Sequence, residues 1–165
     1  MSKVMILGKV RGGERGAALI ELAIVIPFLT VLGLGVMEFA NYFFNYQLLQ
    51  NSVRDAARYA ASLPYDSTNT TQNDAAIKSI AVTGVTTGGT KKVSWWSTSD
   101  VSVIWGTVVN TALSGGLQSY RYAGNVPVVT VSTSVAYPSL GFLGFLGLEG
   151  MTLQASHKER VFGVR

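Results

Sequence analysis

Cysteine is absent from this 165-residue chain, histidine occurs once, and charged residues make up only 13% of it. Without cysteine there is no disulfide, no thiolate zinc site and no cysteine nucleophile, although the compartment stays open. The single histidine, His157, stands among Lys158, Glu159 and Arg160, and no His/Asp/Glu cluster has metal-ligand spacing. A phosphate loop of the Gly-x4-Gly-Lys-Ser/Thr kind is also missing. The sequence therefore nominates no catalytic residue, no metal and no cofactor.

The few charges are unevenly spread. The net charge is +4 and the isoelectric point about 9.5, but Lys3, Lys9, Arg11 and Arg15 face only Glu14 within residues 1–16, which hold +3 of that total. The remainder carries nine basic and eight acidic residues. A basic face for nucleic acid is lacking. Lys91 and Lys92, with Trp95, Trp96 and Trp105, read as a lysine turn beside strand tryptophans rather than as a stacking platform.

What the chain has in quantity is apolar surface: 48% hydrophobic residues and a mean hydropathy of +0.31. Residues 17–40 contain only two charges, Glu21 and Glu38. About 20 apolar residues cross a bilayer, so this stretch spans one if its carboxyls lie near the two ends. The basic residues precede it, which leaves the N-terminus cytoplasmic and sends the rest outside. A carboxylate inside a membrane helix costs roughly 2.5–3.5 kcal/mol at the centre and less near an end, so Glu21 is an expensive residue.

Three signals fit this layout. A secretory signal peptide needs a cleavage site just after its apolar core, and Ala60-Ala61-Ser62 lies too far downstream. A plain signal anchor accounts for charge and hydrophobicity but not for Glu21 or the Gly16-Ala17 junction. A prepilin-type signal is cut before the apolar core; here that bond is Gly16–Ala17, which makes Glu21 the fifth mature residue.

Gly16, Ala17, Ala18, Glu21, Ala23 and Pro27 together resemble the opening of the TadE-like family of pseudopilins, minor components of the Tad (Flp) branch of type IV pilus systems. Gly35-Val36-Met37-Glu38 is similar to the family's later glycine–glutamate segment, and Ala56-Ala57-Arg58-Tyr59-Ala60-Ala61 to its alanine-rich helix. Residues 128–160 are more loosely similar, and residues 67–125 match no known pattern. The resemblance implies a precursor in the bacterial inner membrane, cut after Gly16 by a prepilin peptidase. It further implies that Glu21 neutralises the free amine of Ala17 on a neighbouring subunit during pilus assembly. Other pilin or pseudopilin subunits, the assembly platform and membrane lipid are the implied partners. The physics agrees: a carboxylate held in hydrocarbon is stabilised by an opposite charge, and the cut creates one. The bland alternative is an interfacial acid solvated by headgroups. Glu38 reads as a structural residue at the outer interface.

Beyond the span, Phe39, Phe43, Tyr46, Leu49, Val53, Ala57 and Ala60 recur at helical spacing, with Asn41, Asn45, Asn51, Ser52, Asp55 and Arg58 opposite. Phe44 and Leu48 project from the polar side and are candidate partner contacts. The helix ends before Pro64, since a residue preceding proline is pushed out of the α region. Over residues 17–62 it is about 69 Å long. Pro27 removes one backbone bond and predicts a kink or local melting.

The remainder reads as a small head. Asn73 is placed to cap a helix over residues 74–82 that Gly84 closes. Period-two alternation then marks three strands: Val101, Val103 and Trp105; Val129, Val131, Thr133, Val135 and Tyr137; Met151, Leu153 and Ala155. One long helix packed on a small antiparallel sheet is an α+β, pilin-like arrangement. The expected division is a leader at 1–16, a transmembrane half at 17–40, an amphipathic half at 41–63 and an extracytoplasmic head at 64–165. Residues 139–150 repeat glycine every third position around apolar pairs. Phe142 and Phe145 either cover a sheet edge or dock on membrane or another subunit. A rival to the pseudopilin reading is a signal-anchored extracytoplasmic binding or adhesin domain that is neither processed nor polymerised.

Overall fold

The computed structural model describes residues 13–65, 73–111, 124–142, 144 and 150–162, and the side chains from residue 16 onward. It holds helix α1 (Gly13–Ser62), helix α2 (Asp74–Thr83), a short 3-10 turn (Thr98–Asp100) and strands β1 (Val101–Val109), β2 (Asn125–Ala136) and β3 (Thr152–Arg160). The architecture is α+β: the second half of one 50-residue helix lies across a three-stranded antiparallel sheet of order β1-β2-β3. At 1.5 Å per residue α1 is about 75 Å long.

Alternation decides which sheet face meets the helix. On β2, Val129, Val131, Thr133 and Val135 are buried; on β3, Leu153 and Ala155 are. The registers Val131↔Val103, Val131↔His157 and Val135↔Leu153 bring these rows side by side. The other face is a hydroxyl surface, with Ser102, Ser132 and Ser156 in one cross-strand row. From α1 the core receives Leu49, Val53, Ala56, Ala57, Ala60 and Ala61, all buried. Four alanines let the backbones approach closely, while Leu49 and Val53 each contribute roughly 1.5–3 kcal/mol of burial.

The expected apolar stripe is buried at Leu49, Val53, Ala57 and Ala60 but not at its first two positions. Phe39 and Phe43 are 60% and 53% exposed, whereas Asn45 and Ser52 are buried. Asn45 is satisfied by the Asn41 carbonyl at 2.8 Å and its side-chain oxygen at 3.1 Å, and Ser52 accepts from Lys92 Nζ at 2.8 Å. Two small polar residues thus join the apolar ones in the helix–head contact, and the two phenylalanines face outward.

Helix α2 occupies the expected place, but its cap works differently. Asn73 sits in the left-handed region at φ 69° and makes no side-chain capping bond; its carbonyl accepts from Ile77 N–H at 3.0 Å. Gly84, at φ 86°, closes the helix with its N–H on the Ile80 carbonyl, a conformation glycine adopts without strain. Trp96 is fully buried and donates to Thr133 Oγ1 at 3.0 Å, which in turn donates to the Asp100 carbonyl at 2.8 Å. Trp105 donates to Asp74 Oδ1 and packs on Tyr65. These tryptophans join the sheet to α2 and the 3-10 turn.

Candidate functional site along the N-terminal helix

Every side chain from residue 16 to residue 33 is exposed, including Leu19, Ile24 and Phe28 at 67–71%. A helix that leaves so much apolar area uncovered is long and apolar enough to cross a membrane. The helix runs on through Pro27 without interruption. One turn later Thr30 donates its hydroxyl to the Ile26 carbonyl at 2.8 Å.

The Gly16–Ala17 bond lies within the first turns of α1, which begins at Gly13. A protease that takes its substrate extended must first unwind this turn, and Gly16 lowers the cost. Glu21 is exposed on the same apolar cylinder and makes no hydrogen bond or ion pair among the described residues. Its neighbours Leu19, Ile20, Leu22 and Ile24 are all at least half exposed.

Glu38 is the opposite case. It is fully buried. Its Oε1 accepts from Leu140 N–H at 2.9 Å and its Oε2 from Phe142 N–H at 3.3 Å. Its own carbonyl accepts from the Tyr137 hydroxyl at 3.0 Å. Asn41, one turn on, donates through Nδ2 to Tyr137 Oη at 2.8 Å and to the Pro138 carbonyl at 3.4 Å. Tyr137 also packs edge-on against Tyr42. Burial holds the Tyr137 hydroxyl above its usual pKa of 10.0; the Asn41 bond opposes that shift and Glu38 adds to it. This cluster fastens the turn after β2 onto the helix, which sequence reasoning missed. The available signal was Glu38, Asn41 and Asn45, three polar residues at helical spacing just past an apolar run.

The remaining candidates divide. Phe44 is 68% exposed and Leu48 half-buried; with Phe43, Gln47 and Asn51 they line a shallow cleft of about 400 Å³. Phe142 is half-buried and lines a second groove, of about 480 Å³, against α1. Phe145 lies outside the described residues. No group of three His, Cys, Asp or Glu that could hold a metal occurs among the described residues. His157 meets only Glu159, at 2.9 Å, in the one ion pair found among them. The sheet's outer face carries a polar groove of about 620 Å³ lined by serines, Asp100 and Gln154, with no assembled nucleophile and base.

A family model described as TadE-like protein matches residues 16–58, which is α1 from the Gly16–Ala17 junction almost to its end. The match covers Glu21, Pro27 and Glu38. No curated protein and no solved structure matches the chain.

Proposed function

We propose that this protein is a minor pseudopilin for assembly of a Tad/Flp-type pilus. It is made as a precursor in the bacterial inner membrane, with residues 1–16 cytoplasmic and the head outside. A prepilin peptidase cuts between Gly16 and Ala17, and the new amine of Ala17 becomes the charge partner of Glu21 on a neighbouring subunit. The single observation that carries this reading is Glu21: an exposed carboxyl without a partner among the described residues, five residues past a Gly–Ala junction, on a helix that matches the TadE-like model.

The work in this reading is packing. Residues 17–40 insert among neighbouring helices, the assembly platform extracts the subunit, and the outward aromatics Phe39, Phe43 and Phe44 meet other subunits. A carboxyl in hydrocarbon favours whatever arrangement brings it a cation, so the Glu21–amine pair gives the inserting subunit a register as well as an attraction. No step requires a catalytic residue.

A second reading, an unprocessed signal-anchored binding or adhesin domain, draws on the hydroxyl-lined groove on the sheet's outer face. Processing separates the two. Intact mass and N-terminal sequencing of the protein from its native membrane should give a chain starting at Ala17 when the prepilin peptidase is present and at Met1 when it is deleted. A Met1 start in both strains contradicts the pseudopilin reading.

A further inference from the structure

We draw no further inference here: the strongest candidate, the free edge of strand β1, which has no charged residue and leaves Ile104, Val108 and Val109 exposed, carries nothing because nothing in the structure shows what covers it.

Discussion

Glu21 and Glu38 stand on one helix, roughly 25 Å apart along its axis, and the fold treats them in opposite ways. Around Glu21 the helix is bare: its side chains are exposed and the carboxyl has no partner among the described residues. Around Glu38 the head closes completely, and both side-chain oxygens and the backbone carbonyl accept bonds from Tyr137, Leu140 and Phe142. A carboxyl supplied with partners inside its own chain stabilises that chain. One without them is available to another molecule. The two halves of α1 are therefore built for different tasks, the first for an environment outside the chain and the second for the sheet.

That contrast can be broken at several points. The largest loss of stability belongs to the sheet half: Leu49→Ala should destabilise the head by about 3–5 kcal/mol, because a fully buried leucine leaves a cavity. Thermal unfolding of the detergent-solubilised chain, followed by tryptophan fluorescence, measures it. Glu38→Ala should cost about 2–4 kcal/mol in the same assay, since two backbone N–H groups lose their acceptor. A loss below that of a surface substitution would show that the buried carboxyl does not hold the turn. Tyr137→Phe should cost about 1 kcal/mol, by removing the donor to the Glu38 carbonyl and the acceptor for Asn41. Its pH signature follows from the direction of the shift. The folded state favours the protonated hydroxyl, so this contribution is complete below pH 10 and is lost as pH rises through the folded value. In Tyr137→Phe that alkaline component should disappear. Phe44→Ser should leave stability within about 0.5 kcal/mol, because the ring is exposed, yet it should weaken co-purification with other pilus subunits if this face is an assembly contact.

Much of the plan could be read before folding. Period-two alternation placed all three strands and the inward rows of β2 and β3, and Pro64 marked where α1 stops. Other features resisted for a physical reason. In a water-soluble helix the apolar stripe marks the core, so Phe39 and Phe43 were assigned inward and Asn45 and Ser52 outward. Along this helix the rule holds for Leu49, Val53, Ala57 and Ala60 and fails for Phe39 and Phe43, where the helix passes from an apolar span onto its own head. Bulky apolar side chains remain on the uncovered surface, while alanines and short polar residues make the close contact. Glu38 was hidden for a related reason: its partners are backbone amides of a turn about a hundred residues away, which leave no trace in residue type. Asn73 held the right place for a cap, but its left-handed backbone carries the start of α2 and its side chain does not.

The division between the two carboxyls is tested most directly by measuring head stability and pilus assembly together in Glu21→Ala and Glu38→Ala. Glu21→Ala should unfold within about 0.5 kcal/mol of the parent, insert in the membrane normally and be cut at Gly16, yet be recovered with pilus components at about a tenth of the parent amount or less, a loss equivalent to ~1.4 kcal/mol of pairing. Glu38→Ala should show the reverse order, with lowered stability and any assembly defect no larger than its loss of folded protein. Normal recovery of Glu21→Ala with pilus components would contradict the account.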